Sequence, residues 1–297
     1  MTPTGLSAGH RGPFEGHVTV DGARLYLLPE MDRLADAFRL VYYDQRGRGR
    51  SSGNVEPGEV GIESEVADLD GLRRRLGSES VAILGHSWGG VLAMEYAARR
   101  PDRVSHLILL NTAPASAEDV AVFRQHLLRI RPAGDVEQMQ AIASSARYEA
   151  GDLEAEAAYY RLHYRVALRA PEQVEQVVGR LRAHFTEDDV LKARAIEQRL
   201  YDDTWETAGY DLVPKLRALD MPALVGVVEV GTAVQHDDRR TLADGSADDF
   251  VPVALAARIA RALPNGGLSV LEECGHFAYL EAPDALHEHV TALLESR

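Results

Sequence analysis

Apolar residues recur along much of the chain in two alternating patterns, which predict strands and helices in turn. Short continuous apolar runs are typical of strands buried on both faces, and apolar residues three or four positions apart are typical of helices. In chain order the predicted elements are helix 62–76, strand 81–84, helix 88–100, strand 104–110, strand 223–228, helix 253–263, strand 268–271 and helix 282–294. This alternation predicts an α/β protein with a mostly parallel sheet and helices on both faces.

The chain before residue 62 predicts a hairpin and one further strand. Residues 14–20 and 23–28 are apolar-rich and flank Asp21-Gly22, a pair typical of a tight hairpin turn. Pro29 suits the first turn of a helix over 29–38, and residues 39–44 read as a short buried strand.

Between residues 117 and 218 the pattern predicts helices and no convincing strand. We interpret this segment as a helical cap inserted into an α/β core made of residues 1–116 and 219–297. The predicted cap helices are 119–130, 135–150, 152–168, 171–182 and 190–200.

Composition narrows the classes of function. Lys and Arg number 32 and Asp and Glu 46, so the formal charge is −14, which disfavours binding to nucleic acid or to an anionic membrane. Arg46, Arg48, Arg50 and residues 73–75 are therefore expected to be solvated or paired. The chain has a single cysteine, Cys274, and no apolar run of secretory or membrane-spanning type, so we expect a soluble cytoplasmic protein. No set of side chains has a recognised metal-ligand spacing, and no metal or other cofactor is expected.

The sequence Gly85-His-Ser-Trp-Gly89 lies between a predicted strand and a predicted helix. In this context G-x-S-x-G predicts a sharp strand-to-helix turn that presents the serine at the carboxyl edge of the sheet. Ser87 is thus the candidate nucleophile, and the Trp88 N–H is a candidate donor to an oxyanion.

A serine hydroxyl needs a base that is itself oriented by an acid. His276 follows the last predicted strand, which places it after the nucleophile and the acid in the chain order that this fold uses. Asp249 is the candidate acid, with Asp248 beside it, or Asp237 and Asp238 in the preceding loop, as alternatives.

These motifs resemble the α/β-hydrolase superfamily, and more narrowly its proline iminopeptidase branch. The resemblance rests on D-Q-R-G-R-G-R-S at 44–51, G-H-S-W-G-G at 85–90, D-F-V-P at 249–252 and C-G-H-F-A-Y-L-E-A-P at 274–283. It implies a serine hydrolase that releases an N-terminal residue, often proline, from short peptides, with cap carboxylates binding the free α-amine. Carboxylates near the end of the cap are the candidates for that contact. They are Glu197, Asp202, Asp203 and Glu206.

Trp205 is close to these carboxylates in sequence and either lines the substrate pocket or packs against the core. The fold also supports a carboxylic-ester hydrolase as a second function, since the same triad cleaves esters. A third interpretation is a catalytically weak binding protein with the same fold.

The chain departs from the resembled family in two places. A central strand and the loop that carries the second oxyanion N–H are missing between Leu25 and Pro29, a loss of about 20 residues. Residues 230–247 lengthen a turn that is normally short. We therefore expect weak catalysis, limited stability, or both, unless residues 23–28 move into the vacated position.

Overall fold

The structure is a computed structural model. It describes residues 16–20, 23–27, 34, 37–49, 51, 55–182, 185–229, 250–272 and 274–295. Its strands are β1 (Gly16–Val20), β2 (Ala23–Leu27), β3 (Val81–His86), β4 (Val104–Leu110), β5 (Ala223–Glu229) and β6 (Gly266–Glu272). The helices outside the segment between β4 and β5 are α1 (Ile62–Arg75), α2 (Trp88–Arg99), α10 (Val253–Ala262), α11 (Ala278–Glu281) and α12 (Pro283–Glu295).

The main sheet has the strand order β3-β4-β5-β6, and every neighbouring pair is parallel. Parallel strands need crossovers, and α2 and α10 supply those from β3 to β4 and from β5 to β6. All four carboxyl ends therefore meet at one edge of the sheet, where loops from different strands converge.

Helices cover both faces of the sheet, as the sequence predicts. Alternate residues of β4 separate into two cores, because successive side chains of a strand point to opposite faces. Leu107 and Leu109 lie in a cluster with α2 and α10, whereas Ile108 and Leu110 lie in a cluster with α12.

Between β4 and β5 the described residues form only helices, apart from an isolated bridge between Ser116 and Asp211. The helices are α3 (Ala117–Ile130), α4 (Ala133–Ala143), α5 (Ala146–Glu149), α6 (Leu153–Arg165), α7 (Val174–Arg182), α8 (Glu187–Asp203) and α9 (Val213–Leu216). Ser116, Ser145, Asp152 and Thr186 each accept a hydrogen bond from a first-turn N–H at the start of α3, α5, α6 and α8. The helix predicted over 135–150 is therefore two helices, since Ser145 caps a new one.

The strand predicted over 39–44 is wrong. These residues pair with no strand in the described part of the chain, and Val41 and Tyr43 instead pack against Leu72 of α1. The physical reason is that no described strand offers this segment a backbone to pair with.

The predicted hairpin is present, with β1 and β2 antiparallel in a separate two-stranded sheet. The strand at 23–27 has thus not moved beside β3. Most of the helix predicted over 29–38 lies outside the described residues. None of the described helices is long and apolar enough to cross a membrane.

Candidate active site

Ser87 occupies a strained turn between β3 and α2. Its φ of 54° and ψ of −120° lie in a region that L-residues with a side chain rarely adopt. The backbone around it fixes this conformation, because Ser87 N donates to Leu110 O at 3.1 Å and its carbonyl accepts from Gly90 N and Ala113 N at 2.9 and 3.0 Å. Ser87 is half-buried and is the N-cap residue of α2.

Two glycines allow this turn to pack. A Cβ on Gly85 would collide with the backbone of Gly89 and come within 2.8 Å of the Gly90 Cα, and one on Gly90 would lie 2.6 Å from Thr112 Cβ. Steric crowding at this turn thus explains why the motif has glycine at these positions. They let α2 start directly against the end of β3, with the Trp88 N–H in the first helical turn, where backbone N–H groups favour negative charge.

His276 lies in a loop after β6 and is 2% exposed. Its carbonyl accepts hydrogen bonds from Asn111 Nδ2 at 2.7 Å and from His86 Nε2 at 2.8 Å, and its N–H donates to Ala167 O at 2.7 Å. His86 precedes Ser87 directly, and its ring centroid is 4.6 Å from that of His276. The loop that carries the predicted base is thus attached to the turn that carries the predicted nucleophile.

Glu281 attaches the same loop to the helical segment between β4 and β5. Its carboxylate accepts from Gly275 N at 2.7 Å and from Ala170 N at 3.0 Å. A Cβ on Gly275 would lie 2.5 Å from Ala167 O, so only glycine fits this close approach.

Asn111, His86 and Glu281 were not singled out in the sequence. A signal exists for Asn111, because it is the first polar residue after an apolar strand, at the sheet edge where the predicted nucleophile also lies. Its φ of 43° marks a second constrained position beside Ser87. His86 and Glu281 act through contacts distant in sequence, which no local pattern reveals.

The electrostatics of the site favour a neutral imidazole. Burial lowers the pKa of His276 well below its usual range, and the nearby His86 and His163 act in the same direction. Only a neutral imidazole accepts a proton, so this environment suits a general base. Burial likewise lowers the pKa of His86 to about 4.

The candidate acids lie outside the described residues. They are Asp249 and its alternatives Asp248, Asp237 and Asp238. Two described features bear on the choice. The buried Nδ1 of His276 has no hydrogen-bond partner among the described residues, and the ring of Phe250, the residue after Asp249, lies 4.6 Å from the His276 ring.

The four candidate carboxylates of the helical segment occupy different environments. Asp202 is exposed and accepts from Gln198 at 2.9 Å. Asp203 pairs with Arg199 at 3.0 Å and accepts from the first N–H of α1 at 3.2 Å. Glu206 is exposed and pairs with Arg124 at 2.8 Å. All three are engaged in surface contacts or helix capping.

Glu197 is the exception among these carboxylates. It is half-buried, accepts from Tyr201 Oη at 2.5 Å and has no ion-pair partner among the described residues. Its negative charge helps raise the pKa of the buried Tyr160 and Tyr201 above the usual range, after burial itself. The Glu197 carboxylate, surrounded by tyrosine side chains, would therefore stabilise a bound cation.

Aromatic rings connect Glu197 to the serine turn. The Tyr201 ring lies 5.8 Å from the Trp88 ring and 5.0 Å from that of Trp205. Trp205 packs edge-on against Trp88 at 5.1 Å and donates its Nε1–H to Pro114 O at 3.0 Å. Trp205 therefore packs against the core, while Tyr201 lies between the carboxylate and Trp88.

Acid pH is expected to destabilise the protein through its buried histidines. The pKa of His163 is lowered to about 3 by burial, Arg131 and Arg182, and those of His86 and His276 are lowered too. Each contributes stability that is lost as pH falls below the unfolded value of about 6.5. Glu65 has the opposite effect on stability. Burial raises its pKa to about 7, so in this pH range the folded protein binds a proton that the unfolded chain does not. Three lowered histidine pKa values against one raised carboxyl pKa leave a net uptake of protons on unfolding, so the free energy of unfolding is expected to fall as pH drops from about 6.5 to 4.5.

Urea unfolding from pH 7.5 to 4.5 measures this fall, and His163→Phe should make it less steep by roughly 1 kcal/mol per pH unit, the contribution of one proton. A free energy of unfolding that does not fall over this range would contradict the burial of these rings.

Known proteins match this fold and these motifs. A family model described as alpha/beta hydrolase fold matches residues 25–283. A protein named probable proline iminopeptidase, from Streptomyces coelicolor, is 28% identical over an alignment that covers 93% of this chain and 84% of that protein. RutD of Agrobacterium fabrum, which is named as a carbamate hydrolase, is 38% identical over 90 residues, covering 30% of this chain and 34% of its own length. The chain thus spans about a third of that relative.

The chain belongs to the alpha/beta hydrolase family, because the family model covers most of its length. Among solved structures, the proline iminopeptidase of Mycobacterium smegmatis has a TM-score of 0.64 at 18% identity, covering 95% of this chain and 97% of that one. The resemblance to the proline iminopeptidase branch and the predicted fold class are both confirmed.

Proposed function

We propose that the chain is a serine hydrolase in which Ser87 is the nucleophile and His276 the general base. The observation that carries this proposal is the strained Ser87 turn, held next to the His276 loop by His86 and Asn111. Strain of about 1–3 kcal/mol at one residue persists where the surrounding structure enforces it, and such positions cluster at active sites.

In this mechanism the Ser87 Oγ attacks the substrate carbonyl carbon as the His276 imidazole takes the hydroxyl proton. The Trp88 N–H stabilises the oxyanion. The imidazolium then gives its proton to the leaving group, and water, deprotonated by the same ring, hydrolyses the acyl-enzyme.

We assign the acid role to Asp249. A buried imidazole nitrogen with no partner favours a carboxylate that orients the ring and stabilises its cation. Asp249 is one residue from Phe250, whose ring contacts His276. Asp248 is one residue further from Phe250.

For the substrate, we propose a short peptide with a free N-terminus, from which one residue, proline or a similar one, is released. Glu197 would bind the α-ammonium group, because it is half-buried, has no ion-pair partner among the described residues and is linked through Tyr201 to Trp88. Asp202 also has no ion-pair partner in the described part of the chain, but it is exposed and accepts from Gln198. A buried ammonium needs such a partner, since desolvating an unpaired charge is costly.

Glu197→Gln should lower kcat/KM for proline p-nitroanilide by about 10- to 100-fold, because it removes a charge-assisted contact to the ammonium. The N-acetylated anilide lacks that charge and should be unaffected by the substitution. Asp188→Asn, at an exposed position of the same helix, is the matched control.

If N-blocked anilides or simple esters are cleaved as well as free-amine substrates, the aminopeptidase proposal is wrong and the protein is an ester hydrolase. If a fluorophosphonate probe fails to label Ser87 in the folded protein, the weak binding protein is favoured.

We also propose that kcat is reduced, since loss of one oxyanion donor costs about 10²–10³ in kcat.

A further inference from the structure

The strand that carries Ser87 has an open edge. β3 pairs with β4 on one side and, within the described part of the chain, with no strand on the other. Ser87 N donates toward β4, to Leu110 O. Since hydrogen-bonding groups alternate sides along a strand, the N–H and C=O groups of Leu84 and His86 point to the open edge.

A cavity of about 370 Å³ lies along this edge. We call it the edge cavity. Residues from Ile83 to His86 line it from β3, Tyr43 and Arg48 from the segment before α1, and Leu181 and Phe185 from the helical segment between β4 and β5. Its volume is within the range of about 300–1,000 Å³ that small-molecule sites occupy.

The position of the edge cavity connects it to the reaction centre. His86 and Gly89, which flank the Ser87–Trp88 pair, both line it. Glu197 is linked to the same turn by other contacts, through Tyr201 to Trp88. A substrate whose amine binds Glu197 has its scissile carbonyl at Ser87, and the rest of its chain has the edge cavity available.

We propose that the edge cavity binds the leaving peptide of the substrate in an extended conformation, as an added strand on β3. This inference rests on the proposed function and adds a binding site for the residues that follow the scissile bond. A peptide backbone supplies both the donors and the acceptors that the open edge leaves unpaired. Four strand residues span about 13 Å, which corresponds to three or four residues of peptide.

Charge favours a peptide backbone over an ionic ligand. Asp44 and Arg48 both line the cavity, so their charges offset each other, and Arg48 also pairs with Glu65. β2 does not occupy this edge, because it pairs with β1.

Hydrogen exchange on Ser87→Ala protein tests binding without chemistry. The peptide Pro-Ala-Ala-Ala should slow exchange of the Leu84 and His86 amides by about tenfold or more, whereas the Gly85 amide, directed at β4, should change little. The same peptide with N-methylated alanine nitrogens should give no protection. Equal protection by both peptides would overturn the added strand.

Kinetics on the unmodified protein provide the second measurement. The ratio of kcat/KM for Pro-Ala-Ala-Ala to that for Pro-Ala should be about tenfold or more, because backbone hydrogen bonds are added. Leu181→Trp, which narrows the cavity, should bring this ratio close to one. Leu153→Trp, on a leucine that is 42% exposed against 40% for Leu181 and lies outside the cavity lining, should leave it unchanged.

The outcomes separate this proposal from the proposed function. Cleavage of both peptides at equal efficiency, with no protection of β3, would overturn the edge site and leave the aminopeptidase intact. Protection of β3 without cleavage of any free-amine substrate would support the edge site and overturn the aminopeptidase. Protection that rises with protein concentration and without peptide would assign the edge to a second copy of the chain and overturn the proposal.

Discussion

Replacing Ser87 by alanine is expected to lower kcat by about 10⁴-fold or more for every substrate that the protein cleaves. The reason is that the hydroxyl supplies the bond-forming atom, and the oxyanion donor and substrate binding alone give only the residual catalysis typical of such enzymes. Single-turnover measurements on a chromogenic amide or ester would measure the loss. His276→Ala should be as damaging, and the double variant no worse, because the two residues act as one unit.

Ser80→Ala is the matched control, since Ser80 is exposed just before the same strand. It should leave kcat unchanged. Circular dichroism of Ser87→Ala should match the parent, and the variant should be somewhat more stable if the hydroxyl contributes to strain in the turn. Retention of more than about a tenth of the activity would remove Ser87 from the nucleophile role, since loss of a true nucleophile is far more costly.

The sequence predicts the four strands of the main sheet because each contains a short apolar-rich run. The bounds of β4 agree at both ends, since Val104–Leu110 is apolar except for Ser105 and His106 and is followed by the polar Asn111. α2 starts at Trp88 as predicted, because Gly85 and Gly90 leave room for a tight turn there.

The failed strand at 39–44 shows the limit of local patterns. Arg39 to Asp44 has the composition of a buried strand, but a strand exists only where a partner offers its backbone. No such partner is present among the residues that the structure describes, and no window of a few residues contains this information. The pattern correctly predicts burial, which Val41 and Tyr43 achieve against Leu72.

The residues of the candidate site also divide into those that the sequence identifies and those that only the structure reveals. Ser87 and His276 are found from local motif and chain order. Glu197 emerges from four equivalent carboxylates only when the structure shows that Glu206 and Asp203 pair with arginines and that Asp202 is exposed. Asn111 and His86 are positioning residues for the His276 loop, and their contacts span 165 and 190 residues of sequence.

Two buried ion pairs hold the loop that follows the failed strand. Arg46 binds Asp68 of α1 with two nitrogens, its Nε at 2.7 Å, and Arg48 binds Glu65 of the same helix. Both carboxylates are 1% exposed. The predicted pairing of these arginines is confirmed. Because no sheet ladder fixes residues 39–49, these pairs take over much of that role and keep one wall of the edge cavity in place.

Asp68→Ala is therefore expected to reduce the free energy of unfolding by about 3–5 kcal/mol, since it removes the buried carboxylate that binds two nitrogens of Arg46. Urea unfolding at pH 7.5 would measure the loss. Glu63→Gln is the matched control on the same helix, because Glu63 is 81% exposed in its pair with Arg99 and should cost less than about 1 kcal/mol. Asp68→Asn keeps the shape without the charge and should fall between the two. If Asp68→Ala costs no more than Glu63→Gln, contacts other than the ion pairs hold this loop against α1.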